Sequence, residues 1–408
     1  MKICIVGSSK LFFSGISAYT IVMSNAFNQK GHQTSSILLR RLVPLFLYPG
    51  KSHIGQKNDV LDFERQIPIY DGMDWYSPIS WVAALRFLRH QKPDAIIMHW
   101  WTSSVAHMQI LLGLFRLLLS KRPVLILEMH EVVDPLEEKI LPIRWYSRIA
   151  GRLLLKLCDL YTAHSEEARQ KIISTYHISD HRIYMVPHGP YNYYNNIDRE
   201  TARSELGLMG FVILYFGMIR QYKGVPMLFK AFDMLPESIA RESRLVIAGE
   251  DWHDDAELEP ALRDSKYKDR ISIIPQFIPD ETVPKYFAAA DVVVLPYTRS
   301  CGSGVASIAA AQGKSIIMSD LATLKESFMG YQGASFFPAR DQNALKDRLK
   351  ESYNRWQAEG TTSYHYIDNT WESIICSYEN MINNFMINNI NRKDNYYAHD
   401  QFIRTDGV

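Results

Sequence analysis

Short apolar runs and amphipathic stretches take turns along the chain, which is the spacing of strands alternating with helices. Residues 2–6 form an apolar run that ends in Gly-Ser-Ser, and a helical pattern follows over 16–29, closed by Gly31. Runs at 34–39, 94–98, 124–128, 159–163 and 183–186 read as further strands. Stretches at 81–91, 105–120, 144–157 and 165–175 read as the helices between them, with Ser165 as an N-cap. Residues 40–76 hold no clear period. A cluster of Pro, Gly and Asn from Pro187 to Asn196 reads as a linker, after which the pattern restarts. Strands are expected at 211–216, 244–248, 271–274, 291–295 and 315–318. Helices are expected at 225–234, 256–263, 281–290 and 305–311. Two long helices, 341–357 and 370–386, end the pattern, and the polar tail after Asn388 is expected to be loose.

Alternation of this kind predicts parallel sheets flanked by helices. Two successive sets predict an α/β protein of two doubly wound, Rossmann-like domains facing a central cleft. The expected boundaries are 1–187 and 188–365, followed by a terminal helix over 366–390 and a tail over 391–408. In such sheets ligands sit beyond the carboxyl ends of the strands, so chemistry is sought in the loops that follow them.

Composition narrows the classes. The chain has 408 residues, with 47% hydrophobic and 22% charged, which excludes global disorder, collagen and coiled coil. Forty-five basic against 44 acidic side chains give a formal charge of +1, so bulk attraction to nucleic acid is not expected. Cys4, Cys158, Cys301 and Cys376 are far apart and form no CxxC pair, which argues against a zinc ribbon and for a reducing, cytoplasmic setting. The first residues read as a buried strand rather than a signal peptide, and no apolar run is long enough to span a membrane.

The candidate chemistry lies in strand-end loops. Arg220 and Lys223, in FGMIRQYKG, follow a strand that ends at Gly217 and precede a helix, an arrangement suited to an anion. Ser303, Gly304 and Val305 open a helix whose free backbone N–H groups suit a diphosphate. His130 and Glu131 follow the strand VLILEM, where a histidine meets a sugar hydroxyl and a glutamate acts as general base. Ser14 and Gly15 offer backbone N–H groups, and Glu250 offers a carboxylate to donor hydroxyls. His99, Trp100 and Trp101 are candidates for stacking on an acceptor sugar. Tyr191, Tyr193 and Tyr194 read as hinge lining, and His164 and His188 as structural. Plainer readings stay open for each pattern: solvated loop cations, a Gly-rich turn, a histidine bonded to nearby backbone.

Taken in order, KICIVG…SGIS, MHE at 129–131, PHGP at 187–190, FGMIRQYKG at 216–224 and SGVASIAAAQGKSIIMSD at 303–320 resemble the GT-B glycosyltransferases, specifically family 4. The resemblance implies a C-terminal domain that binds a nucleotide sugar, UDP- or GDP-linked. Arg220 and Lys223 match its phosphate clamp, and Ser303-Gly304-Val305 the helix start facing the diphosphate. It implies an acceptor-binding N-terminal domain, in which His130 matches a histidine near the transferred sugar. The last helix is expected to cross back to that domain. Many family members carry two glutamates eight positions apart in the last motif, where this chain has Ser300 and Ile308. The resemblance implies sugar transfer to a glycan or lipid-linked hydroxyl, in cell-surface polysaccharide synthesis, and no metal is expected to be needed, because Arg220, Lys223 and the helix amides take its place. Peripheral contact with the inner face of a membrane, through Arg40-Arg41 and LVPLFLY, belongs to the same expectation. A sugar-nucleotide epimerase and a non-catalytic nucleotide-binding protein are the alternatives. Glu131 is the candidate base if the reaction inverts configuration.

Overall fold

Two all-parallel sheets carry the chain in a computed structural model that describes residues 1–12, 15–42, 60–130, 141–253, 255–299, 302–365 and 370–405. The first sheet has seven strands: β1 (Lys2–Ser8), β2 (Gln33–Arg41), β3 (Ile69–Asp74), β4 (Ala95–Trp100), β5 (Val124–Met129), β6 (Leu160–Ala163) and β7 (Ile183–Met185), in the order β3-β2-β1-β4-β5-β6-β7. The second has six: β8 (Phe211–Phe216), β9 (Ser243–Ala248), β10 (Ile271–Ile274), β11 (Val292–Leu295), β12 (Ser315–Ser319) and β13 (Ala334–Phe337), in the order β10-β9-β8-β11-β12-β13. Helices cover both faces of a parallel sheet, so its central strands read as unbroken apolar runs, as β8 and β11 do.

Local chemistry sets the element ends. Helix α1 (Gly15–Gln29) follows the β1 loop. Helix α2 (Pro78–Gln91) starts with proline, whose missing N–H costs nothing there. Next come α3 (Ala106–Phe115), α4 (Leu141–Leu157) and α5 (Glu166–Tyr176), the last capped by Ser165 Oγ accepting from Ala168 N. After the linker, α6 (Arg199–Leu206) is capped by Asp198 and closed by Gly207 at φ 63°. The second domain continues with α7 (Val225–Asp233), α8 (Glu237–Glu242), α9 (Leu258–Arg263), α10 (Val283–Ala289), α11 (Gly304–Ala311), α12 (Ala322–Phe328) and α13 (Gln342–Glu359). The last helix, α14, runs Trp371–Thr405.

Four differences from the sequence reading have physical reasons. β3 was hidden in IYDGMD, whose Gly and Asp residues mask an edge strand with one sheet neighbour. Helices α6, α8 and α12 are six to eight residues long, too short to show a helical period. The strand β13 is an edge of four residues, only one of them fully buried. The backbone of α14 continues helically through the stretch expected to be loose.

Helix α14 packs on α1 rather than on the second sheet. Lys30 Nζ meets Glu372 at 2.8 Å and His32 Nε2 meets Glu379 at 2.8 Å. Tyr378 is fully buried against Phe27. Trp371 Nε1 donates to Pro190 O at 2.9 Å, tying the helix start to the linker.

Candidate active site

The end of β8 forms the first wall. Gly217 follows the strand at φ 102°, a left-handed backbone that glycine takes without strain. A methyl group on it would lie 3.3 Å from Val305 Cγ2 and 3.6 Å from Lys223 Nζ. The bare Cα thus faces both the Lys223 ammonium and the start of α11. Gly224, at φ 70°, lets the chain turn into α7, since a Cβ there would sit 2.1 Å from Pro296 O.

Lys223 is buried, and its ammonium donates to Tyr297 OH at 3.4 Å while lying 4.9 Å from that ring's centre. Among the described residues no carboxylate faces it. Burial lowers its pKa below the usual lysine value, and Arg220 adds to that. The Arg220 guanidinium lies 4.5 Å from the Trp252 ring centre, and Trp252 Nε1 donates to Glu250 Oε2 at 3.2 Å. Stacking thus holds Arg220 beside Glu250. Across from this loop, Ser303 caps α11 by accepting from Ala306 N at 3.2 Å. Strands β8 and β11 are neighbours in the sheet, which is why two loops 80 residues apart in sequence meet.

The N-terminal domain supplies the floor. Glu128 is fully buried near the end of β5, and its Oε1 accepts from Tyr19 OH at 2.8 Å. Burial raises its pKa to about 7. His99 Nε2 lies 3.3 Å from Glu128 Oε2, and His164 Nε2 lies 3.7 Å from Oε1. His130 follows β5 and touches Tyr19, His99, His164 and His188 ring to ring, with centroids 4.8–5.6 Å apart. Burial lowers all four histidines, His99 and His188 to about 3 and His164 to about 4, with His130 well below the usual value. All four are neutral at physiological pH.

Tyr191 joins the two halves. Its OH donates to Gly15 O at 2.9 Å, and a methyl on Gly304 would lie 3.2 Å from Tyr191 Cε2. The linker therefore threads between the starts of α1 and α11. Tyr193 and Tyr194 stack beside it, and Tyr194 OH donates to Asp280 Oδ1 at 2.6 Å.

The structure gathers Gly217, Arg220, Lys223, Glu250, Ser303, Gly304 and Val305 at one set of strand ends, with Gly15 and His130 on the other domain's side. Ser14, Glu131 and Ser300 lie outside the described residues. His99 and Trp100 do not fit acceptor stacking, because both are buried: His99 under the histidine cluster, Trp100 against α4 at Gly151. Only Trp101 of that trio is partly exposed. Ile308 points into the core on the buried face of α11. Arg40 and Arg41 both bind Asp74, at 2.8 and 3.3 Å, and most of the apolar run after them lies outside the described residues. Sequence reading passed over Glu128, Tyr19, Trp252 and Tyr297. A glutamate inside the apolar run VLILEM was the available signal for the first.

Comparison with known proteins bears on the family and the fold. The model described as Glycosyltransferase Family 4 matches residues 13–189, and the one described as Glycosyl transferases group 1 matches residues 210–355. No curated protein matches in sequence. Among solved structures, the catalytic domain of starch synthase IV from Arabidopsis thaliana, bound to ADP and acarbose, aligns with TM-score 0.66 at 14% identity, covering 94% of this chain and 98% of that one. HepE of Anabaena in complex with UDP-glucose aligns with TM-score 0.64 at 14% identity, covering 95% and 99%. Sucrose-phosphate synthase from Thermosynechococcus elongatus aligns with TM-score 0.63 at 15% identity, covering 98% and 99%. These likenesses show the fold, and the two family models between them cover every strand of the two sheets but β1. The chain belongs to the GT-B glycosyltransferases of the family 4 type.

Proposed function

We propose that this glycosyltransferase takes a sugar from a UDP- or GDP-sugar and places it on a hydroxyl of a glycan or lipid-linked saccharide, in cell-surface polysaccharide synthesis. The observation that carries the donor assignment is Lys223: a buried ammonium with no facing carboxylate among the described residues, beside a bare glycine and a helix start. A buried charge is costly unless something of opposite charge completes it. A diphosphate does so.

As the glycosidic bond breaks, the leaving diphosphate gains negative charge. Lys223, Arg220 and the free N–H groups of α11 meet that charge where water is scarce, and each such donor is worth about 3–4 kcal/mol in the transition state. In this reading the diphosphate needs no metal ion. Glu250, held by Trp252, is placed for donor hydroxyls, and the neutral His130 for a hydroxyl of the transferred sugar. The HepE structure holds UDP-glucose and the starch synthase structure holds ADP, which supports a nucleotide site of this kind.

Contact with an anionic membrane surface has its own support. Along α4, Trp145, Ile149 and Leu153 are exposed at helical spacing and interleave with exposed Arg148, Arg152 and Lys156. No helix among the described residues is long and apolar enough to cross a membrane.

Calorimetric titration with UDP and GDP, followed by turnover of the matching sugar nucleotides in the presence of EDTA, tests the reading. One nucleotide is expected to bind and its sugar derivative to turn over, with Arg220→Ala abolishing both in a folded protein. Full activity in Arg220→Ala removes the clamp assignment.

A further inference from the structure

Four buried polar atoms crowd the cleft floor without a hydrogen bond: His99 Nε2, Glu128 Oε2, His130 Nε2 and His164 Nε2. An unsatisfied buried polar group is destabilising, so four together call for a physical reason.

Their protonation makes the crowding sharper. His164 Nδ1 lies 2.9 Å from Val186 O, and a carbonyl only accepts, so Nδ1 carries the hydrogen and Nε2 the lone pair. Thr20 Oγ1 gives its hydrogen to Ile16 O at 2.7 Å, so at 3.2 Å from His99 Nδ1 it accepts from that ring. His99 Nε2 is then also a bare lone pair. Both lone pairs point at Glu128, whose Oε1 already accepts from Tyr19 and whose carboxyl is also reached by the Tyr378 hydroxyl. Electron pairs face electron pairs, and a positive centre between them is what this arrangement lacks.

We propose that His99, Glu128 and His130 bind a divalent transition metal of the zinc class, with His164 in the fourth position. Single donor atoms of His99, Glu128 and His130 all lie within 4.8 Å of one another. Metal–ligand bonds of about 2.0–2.1 Å in a tetrahedron put ligand atoms about 3.3–3.4 Å apart. The separation of His99 Nε2 from Glu128 Oε2 is 3.3 Å, and small side-chain rotations bring the others in. Imidazole donors select zinc-type ions, whereas magnesium and calcium prefer all-oxygen shells. The outer contacts also fit, because metal-bound histidines ordinarily donate their second ring N–H to a carbonyl or similar acceptor, as His164 does to Val186 and His99 to Thr20. Entry is from the cleft, where His130 and His164 keep a little exposure while His99 and Glu128 have none. The metal would bind His130 directly and so fix the orientation of its ring at the cleft floor. Since binding is read directly, the proposal stands or falls apart from the sugar-transfer reading.

The test uses the full chain, free of any histidine tag and stripped with a chelator. It is titrated with zinc by calorimetry and with cobalt by visible absorption. The expected result is one ion per chain, the intense visible bands of tetrahedral cobalt, a melting temperature that rises with zinc, and no response to magnesium. His99→Gln should weaken zinc at least a hundredfold, and Thr20→Val, which removes only the outer contact, about ten- to a hundredfold. Glu128→Gln is the control for folding, since its amide N–H can donate to His99 Nε2 without any ion. It should fold and lose the response to zinc. Two outcomes overturn the proposal. In one, the wild type binds no zinc and melts identically with zinc or chelator, so that a proton on Glu128 fills the gap. In the other, zinc binding persists undiminished in both His99→Gln and Glu128→Gln.

Discussion

Replacing Lys223 by methionine separates what the fold wants from what the reaction needs. Methionine keeps the length and apolar body of the side chain and removes the charge. The ammonium is buried, its best partner is a tyrosine hydroxyl at 3.4 Å, and burial lowers its pKa. Without donor, the variant should therefore be more stable, by about 1 kcal/mol, which for a domain of this size raises Tm by about 2–4 °C. Activity should move the other way. Losing one donor to the leaving diphosphate raises the barrier by about 3–4 kcal/mol, or roughly 10²–10³ in kcat. The pH dependence carries a sign as well. A lysine whose folded pKa is depressed binds fewer protons folded than unfolded, so the wild type gains stability as pH climbs from that depressed value toward 10.5. The variant lacks this gain. Differential scanning calorimetry at several alkaline pH values, beside a radiolabelled transfer assay, reads all three quantities. A variant that melts several degrees lower yet turns over donor normally would refute the view that Lys223 is held in strain for a diphosphate.

Other expectations are as direct. Gly249→Ala should lower stability by about 3 kcal/mol or more, seen in denaturant melts, because at φ 151° its Cβ would sit 2.1 Å from Gly217 O. Ile308→Glu should not improve activity; it places a carboxylate on the buried face of α11 and should be destabilising by about 3 kcal/mol, measured by thermal melting. Asp280 has its pKa raised by burial to about 6, so its contribution is present at acid pH and lost as pH rises from about 4 through 6; Asp280→Asn should show a flatter stability profile there, with a gain of up to about 2–3 kcal/mol at pH 8. Ile149→Ser with Leu153→Ser should leave the melting temperature within about 2 °C and reduce co-sedimentation with vesicles rich in anionic lipid several-fold. Equal sedimentation of the double variant would remove α4 from the membrane reading.

The central strands were legible because parallel sheets covered on both faces need unbroken apolar runs, and 211–216 matches the observed strand residue for residue. Of the edges, β7 and β10 were also expected, whereas β3 and β13, half-exposed and of mixed residues, were not. In the site, Arg220, Lys223 and Ser303 could be found because loops beyond neighbouring strand ends must converge. His99 could not be placed from its neighbours in sequence. It sits at the penultimate residue of β4, and whether such a side chain faces the cleft or the interior depends on strand register and on the length of the strand beside it. The stack of Arg220 on Trp252 was hidden for a related reason, as the two meet only because β8 and β9 are adjacent.

The last helix has a consequence for how the protein comes off the ribosome. Ile374, Ile375, Tyr378, Met381 and Ile382 are all buried, and Tyr378 reaches Glu128 and Thr162 in the first domain. The first sheet is synthesised early, but its covering over α1 emerges only after the whole second sheet. Until then the apolar side of α1 and the Glu128 carboxyl lack their lid. Completion of the amino-terminal half therefore waits on translation of α14, and a nascent chain that stops short of Trp371 would present an unfinished first domain, however well its second one had formed.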